Sequence, residues 1–370
     1  MRIGIIGAGQ LGQMLGFAAR DLGATCLFLD PSDTPPAAAA GRVIQSAFDD
    51  TDALATLAAE CDIVTFEFEN VPFEALQQIS DQVAVYPPIN ALRQAQDRLT
   101  EKQLFEALAI PLPKFHAINS KSDLHDAIAL LRLPLVIKAR RMGYDGSGQF
   151  MLERANQIDD VWRQLGDRKL IAEQWVAFDY EVSAIGVRNA DGDIATYPLT
   201  HNEHADGILR RSLAPIDEPV LAEHADQYLR ALLEHLDYVG VLALELFVLG
   251  DRLLANEFAP RVHNSGHWTI EGSDTSQFAN HLRAIMNLPP GSTQNRGHAG
   301  MINLIGSIPA AVRQFTDDDC RLHDYGKAPR PGRKLGHITV VKDSACLRDS
   351  LIAEIDQSVM ESTSQSGPVA

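Results

Sequence analysis

VLALELFVLGDRLLANEFAP, residues 241–260, decides the fold. Two apolar runs flank Gly250-Asp251, a dipeptide suited to a tight turn, so they read as the antiparallel strands of one hairpin. Around that turn, positions whose numbers total about 502 face each other, which sets Glu245 opposite Glu257. Opposed residues share a face of the pair, with Cβ atoms about 5 Å apart. Two carboxylates so placed amid Leu, Phe and Ala repel unless they share a proton or hold a cation. Hard oxygen ligands with room left for phosphate oxygens suit Mg²⁺. A solvated strand face explains one such glutamate but fits two poorly. Asn256 precedes the second, and Arg261, His263, Asn264 and His267 follow it directly.

Upstream, Lys138 ends the apolar strand LPLVIKAR (133–140), where a buried ammonium needs an anion. The loop MGYDGSGQ (142–149) follows, and its glycines let backbone N–H groups approach phosphates. It is not a P-loop, because GxxxxGK[ST] is absent. The strand LIAEQWV (170–176) then turns at Ala177-Phe178, offering backbone groups at Trp175 and Val176 to an adenine edge and Glu181 to ribose hydroxyls. Each piece alone has a plain structural explanation. Their order, with a carboxylate pair beyond them, points to a nucleotide triphosphate.

The chain begins differently. GAGQLG (7–12) follows an apolar run and matches the GxGxxG dinucleotide fingerprint, with Asp30 ending the next strand where a ribose-binding acid belongs. That alternative, an NAD-dependent oxidoreductase, lacks a hydride-transfer site downstream; the other reading is a tight turn in a doubly wound domain that binds no dinucleotide. Strands at 2–6, 25–30 and 63–68 alternating with helical segments predict a parallel sheet. Residues 90–108 have helical periodicity, and the polar tail after Gln357 predicts a frayed end. The expected organisation, whose lid and C-terminal sheet are what the resemblance named below implies, is α/β with α+β character: a Rossmann-like unit over 1–90, a linker helix and small lid over 91–178, an antiparallel-sheet unit over 179–356, and a flexible tail over 357–370.

The 370 residues carry 32 Lys and Arg against 49 Asp and Glu, a formal charge of −17, which argues against a nucleic-acid partner. The four cysteines are scattered without CxxC spacing, which suits a reducing cytoplasm rather than a disulfide framework or a zinc site. The longest apolar stretch is too short to span a bilayer, and the start lacks a signal-peptide pattern. A cytoplasmic protein without a membrane partner is expected.

The runs QDRLTEK (96–102), KARRMGYDGSGQ (138–149), PLTHNEHADGILR (198–210), NEFAPRVHNSGHW (256–268) and YGKAPRPGRKLGHIT (325–339), in this order, resemble the ATP-grasp N5-carboxyaminoimidazole ribonucleotide synthetases of purine biosynthesis. The resemblance spans residues 1 to about 341. It implies an ATP-grasp ligase with ATP between lid and C-terminal sheet, and the use of ATP and bicarbonate to carboxylate 5-aminoimidazole ribonucleotide through carboxyphosphate. By motif, Arg98 and Lys138 contact ATP phosphates; Gly143, Tyr144, Asp145, Gly146, Ser147, Gly148 and Gln149 form the lid loop. Glu173, Gln174, Trp175 and Val176 form the adenine hinge, Glu181 binds ribose, and His204 and Asn256 complete the nucleotide site. Glu245 and Glu257 hold Mg²⁺, with Glu257 also at the nucleotide. Arg261 and His263, with Lys138, are the catalytic candidates, holding bicarbonate and carboxyphosphate.

On the ribonucleotide side the candidates are Glu69, Tyr144, Asp145, Arg261, Lys327, Arg330 and Arg333, with Gly9, Gln10 and Leu11 at its border. The basic run Lys327, Arg330, Arg333, Lys334 is set among Pro and Gly, which holds its cations in place. Related sequences usually carry Arg or Lys where this chain has Ser147, and Gly where it has Met142. The family also implies a homodimer. A formate-dependent ribonucleotide transformylase of the same superfamily would share the nucleotide site but not RPGRKLGHIT.

Overall fold

A computed structural model of the chain describes residues 1–143 and 148–365. The expected Rossmann-like start is a five-stranded parallel sheet in the order Arg42–Gln45, Thr25–Asp30, Arg2–Ile6, Ile63–Phe66, Ala84–Val85. Its central strands are buried almost throughout, as the apolar runs require when helices cover both faces. The segment 90–108 is two helices, Ile89–Ala95 and Arg98–Ala107, not one. Asp97 separates them because its carboxylate caps the second helix by accepting the Leu99 N–H at 3.0 Å.

A four-stranded antiparallel sheet follows, ordered Phe115–Ile118, Leu170–Gln174, Leu135–Ala139, Gln149–Leu152. The third sheet has nine strands and is antiparallel, with the hairpin Gly240–Leu249 and Arg252–Ala259 at one edge and Tyr180–Arg188 beside it. The helix Arg98–Ala107 packs on this hairpin: Leu104 and Phe105 join Leu242, Leu244 and Phe258 in one buried cluster. Each fully buried side chain of that size contributes about 1.5–3 kcal/mol. At the far end the helix Ala345–Gln365 runs past Gln357, so ordered helix stands where a frayed tail is expected through residue 365. Polar composition there disguises the helix, which packs on the strands His298–Ile305 and Lys334–Lys342.

Candidate active site

The hairpin register places Glu245 directly opposite Glu257, for a reason the strand pattern does not contain. Leu249 pairs with Arg252 and Leu246 with Ala255, so an uninterrupted ladder would set Glu245 opposite Asn256. A bulge at Asn256 shifts the register by one residue. Asn256 and Glu257 consequently both face the same cleft as Glu245. Burial and the Glu257 charge push the Glu245 carboxyl up to about 8. Burial also opposes the charge on Glu257, but Arg98, at 2.6 Å, outweighs it and holds that carboxyl at about 2. The pair therefore holds one proton near neutrality, the outcome expected of two close carboxylates without a cation.

The cleft has a volume of about 770 Å³ and is lined by strands of the second and third sheets and by residues that follow strands of the first, Gln10, Leu11 and Glu67 to Asn70. Lys138, 8% exposed at the end of its strand, donates to Glu173 Oε2 at 2.9 Å. Glu173 thus faces the lysine, and its carboxyl is held at about 2 because Lys102 and Lys138 overcome the burial penalty. In the hinge segment, the Trp175 N–H donates to Pro134 O at 3.3 Å and the Gln174 N–H to Lys114 O at 2.8 Å, so neither points to a ligand edge. Both residues and Val176 still line the cleft. Phe178 stacks on Phe247 with ring centroids 4.6 Å apart, and with Val136, Met151 and Trp175 they give this end an apolar wall.

Glu181 and His204 line the cleft as a hydrogen-bonded pair. A register shift between Glu203 and His204 turns the imidazole toward the cleft, and the Glu181 bond outweighs burial to raise its pKa. His263 is the opposite case: burial first, then Arg261, keep it neutral. Its Nδ1 accepts the Ser265 N–H at 3.3 Å, which leaves the ring proton on Nε2, 3.3 Å from Glu245 Oε1. A neutral imidazole cannot supply the positive charge that an anion-holding role asks of it. Arg261 can, and it is fixed by Glu69 Oε2, 2.9 Å from Nη2 and 3.1 Å from Nε. Glu69 is therefore engaged by Arg261 rather than free to meet a substrate amine.

Gly143 and Gln149 line the cleft, whereas Gly148, at φ +75°, does not. Tyr144, Asp145, Gly146 and Ser147 lie outside the described residues. Met142 occupies φ +62°, a left-handed conformation that glycine adopts without cost. Of the basic run, Lys334 lines the cleft and Lys327 donates to Gln10 Oε1, itself a lining residue beside Leu11. Arg330 is exposed, and Arg333 donates to Ala328 O at 3.2 Å; like Lys327, neither lines the cleft itself. The cations of the run stand close enough that Arg333, Lys334 and Arg330 all act on the charge of Lys327.

The glycine-rich start is occupied by the protein's own carboxylates. Asp30 accepts the Ala8 N–H at 2.8 Å and the Ser32 N–H at 2.8 Å, and Glu67 accepts the Gly9 N–H at 2.7 Å. A Cβ on Gly7 would sit 2.7 Å from Glu67 Cγ, so these glycines make room for a glutamate. A ribose diol at Asp30 and a pyrophosphate at the turn would both have to displace internal bonds.

Several participants escape the motif reading. Asp97 takes Arg140 in a two-point pair at 2.7 and 2.8 Å, and Glu101 and Lys102 are buried beneath the hairpin at 2% and 0% exposure. The signal exists in QDRLTEK: positions 98, 101 and 102 share one helical face. Among the described residues no group of three His, Cys, Asp or Glu side chains could hold a metal alone. Glu245 and Glu257 supply two hard oxygens, and Asn256 Oδ1 is buried with no hydrogen-bond partner. That donor set fits Mg²⁺ shared with phosphate oxygens.

Comparison with known proteins accounts for nearly the whole chain. Residues 1–96 match the ribonucleotide synthetase preATP-grasp domain, 103–278 the ATP-grasp domain and 299–348 the phosphoribosylaminoimidazole carboxylase C-terminal domain. The chain is 46% identical to the N5-carboxyaminoimidazole ribonucleotide synthase of Pseudomonas aeruginosa, over 96% of this chain and 99% of that one. With the synthase of Bacillus subtilis it shares 37% identity, over 95% and 94% of the two chains. The crystal structure of the Thermus thermophilus synthetase superposes with a TM-score of 0.92 at 46% identity, covering 96% of this chain and 98% of the other. An Aspergillus clavatus synthase in complex with ADP and 5-aminoimidazole ribonucleotide gives a TM-score of 0.89 at 30% identity, covering 97% and 98%.

Proposed function

We propose a division of labour among the cleft residues that proceeds from one premise: the chain belongs to the N5-carboxyaminoimidazole ribonucleotide synthase family of ATP-grasp enzymes. It is an ATP-dependent carbon–nitrogen ligase, carboxylating the 5-amino group of 5-aminoimidazole ribonucleotide in purine biosynthesis with release of ADP and phosphate. The observation that carries the residue roles is the Glu245–Glu257 pair facing one cleft with Lys138, Arg98 and Arg261.

Bicarbonate is a poor electrophile. One of its oxygens attacks the γ-phosphorus of ATP, the bond to ADP breaks, and carboxyphosphate forms. The substrate amine then attacks the carboxyl carbon, directly or as released CO₂; phosphate departs with the bridging oxygen, and the nitrogen loses a proton. Lys138 and Arg98 offset charge on the transferring phosphoryl group, a mainly electrostatic task. Glu173 holds Lys138 in place, and Val176 receives the adenine edge against the Trp175–Phe178–Phe247 wall. Glu181 and His204 serve the ribose together. Mg²⁺ held by Glu245, Glu257 and Asn256 would neutralise phosphate oxygens. His263, donating from Nε2, orients Glu245, and Arg261, set by Glu69, holds bicarbonate and carboxyphosphate. Within residues 91–178, the small sheet that follows the linker helix, including the loop at 143–149, acts as the lid that keeps water from the labile intermediate.

Gln10, Leu11 and Lys327 take the ribonucleotide, with Lys334 as a second cation in place of Arg330 and Arg333. The enzyme works as a homodimer in the cytoplasm, a reading that rests on the family resemblance.

ADP release measured with bicarbonate, formate or neither, each with and without aminoimidazole ribonucleotide, tests this function. Full turnover requires bicarbonate and the ribonucleotide together; turnover with formate alone as the one-carbon source contradicts it. A pH dependence follows from Lys327. Burial first, then Arg333, lower its pKa to about 8. Lys327 is charged below that pH and loses its charge above it, so the KM for the ribonucleotide rises as pH climbs through about 8. A bound dianion moves the loss somewhat higher. Lys327→Arg flattens the rise, as steady-state kinetics across pH 7–9.5 will record.

A further inference from the structure

One face of the helix Arg98–Ala107 touches three consecutive residues of the bulged strand. Lys102 Nζ donates to Asn256 O at 2.5 Å, Arg98 Nη1 donates to Glu257 Oε2 at 2.6 Å, and the Phe258 N–H donates to Glu101 Oε1 at 2.7 Å. We infer that Glu101 and Lys102 are positioning residues that force the bulge at Asn256 and thereby bring Glu257 onto the same face as Glu245. The inference rests on the reading of that carboxylate pair as the metal site.

Three observations carry it. On this edge strand the backbone groups that point away from the ladder need partners elsewhere, and the Asn256 carbonyl and Phe258 amide, on either side of Glu257 at the bulge, both find theirs on the helix. Both are met by buried side chains adjacent on the helix, a lysine that donates and a glutamate oxygen that accepts: Lys102 is 0% and Glu101 2% exposed. Burying such polar groups is costly, and their two backbone contacts fall on either side of Glu257, so together they hold the edge strand in the shifted register. Finally, Lys102 also reaches Glu173 Oε2 at 3.5 Å, the atom that holds Lys138 at 2.9 Å. One ammonium thus ties the bulge to the phosphate-binding lysine on the neighbouring sheet.

Mn²⁺ binding in the presence of ADP, read by electron paramagnetic resonance, tests this without relying on turnover. Lys102→Met keeps the length and removes the charge; Glu101→Met removes the acceptor for Phe258 and keeps the positive partner. Expected for each is at least a roughly tenfold weaker Mn²⁺ affinity, the size seen when groups supporting metal ligands are lost. Faster exchange of the Phe258 amide and an unchanged affinity for aminoimidazole ribonucleotide should accompany it. Should one variant fail to fold, the other carries the same expectation. Glu257→Gln serves as the reference. If it loses Mn²⁺ while both helix variants bind like the unaltered enzyme, the bulge needs no such support and the inference falls. If Glu257→Gln itself binds Mn²⁺ normally, the metal-site reading falls first.

Discussion

Glu257→Gln lowers Mg²⁺-dependent ADP release by roughly a thousandfold while leaving the fold intact. A metal ion supplies several kcal/mol of charge stabilisation during phosphoryl transfer, and each 1.4 kcal/mol is a factor of ten. The amide keeps the shape of Glu257 and still accepts from Arg98, now 2.6 Å away, so no buried cation is left without a partner. Its charge, however, is the one that persists at neutral pH, because Arg98 holds Glu257 ionised while burial keeps Glu245 protonated. Glu245→Gln should therefore be milder, replacing a group that enters metal binding neutral and must first lose a proton. Turnover measured against Mg²⁺ concentration, with circular dichroism as the fold control, decides the matter. Near-normal turnover of Glu257→Gln at limiting Mg²⁺ means the hairpin is not the metal site.

Lys327→Ala raises the KM for aminoimidazole ribonucleotide by roughly tenfold to a hundredfold and leaves the KM for ATP nearly unchanged. A dianionic phosphate approaching a protein of charge −17 needs a local cation. Lys327 is fixed for that task by Gln10 Oε1 and by the Tyr325 ring, whose centroid lies 5.6 Å from Nζ. Loss of one charge-assisted contact costs about 1.5–3 kcal/mol. Arg330→Ala, at an exposed position outside the cleft, should change either constant by less than about twofold. Equal movement of both constants in Lys327→Ala assigns the lysine to the nucleotide or to folding instead.

The parallel sheet and the hairpin are legible because periodicity and turn chemistry are local, whereas the division into three units comes from the family resemblance. Parallel strands read from apolar runs, and the hairpin read from Gly250-Asp251 flanked by them. The opposition of Glu245 and Glu257 was reached by counting, but the ladder near the turn counts one residue differently; only the bulge at Asn256 makes the pair meet. Bulges follow from tertiary contacts, here from Glu101 and Lys102, and periodicity carries no trace of them. The same blindness hid the partners of candidate ligands. The sequence does not show that Glu69, a candidate for the ribonucleotide side, pairs with Arg261 from 192 positions away. Nor does it show that, of the backbone groups at Trp175, the N–H is taken by Pro134. The basic run from Lys327 to Lys334 is legible as a cluster, but which of its members borders the cleft is set by tertiary contacts: Lys334 does, and Lys327 reaches the lining residue Gln10. At the start of the chain, glycine spacing resembles a dinucleotide fingerprint because both uses need a close approach to the backbone. Here the approaching group is Glu67.

The claim that ATP activates bicarbonate within this cleft is tested most directly by isotope transfer. With ¹⁸O-labelled bicarbonate, unlabelled ATP and aminoimidazole ribonucleotide, one bicarbonate oxygen becomes the bridge of carboxyphosphate and leaves with phosphorus. Phosphate isolated after a single turnover and analysed by mass spectrometry should carry one ¹⁸O atom per molecule. Phosphate free of label would mean that water or another nucleophile takes the phosphoryl group, and the mechanism derived from these residues would be wrong.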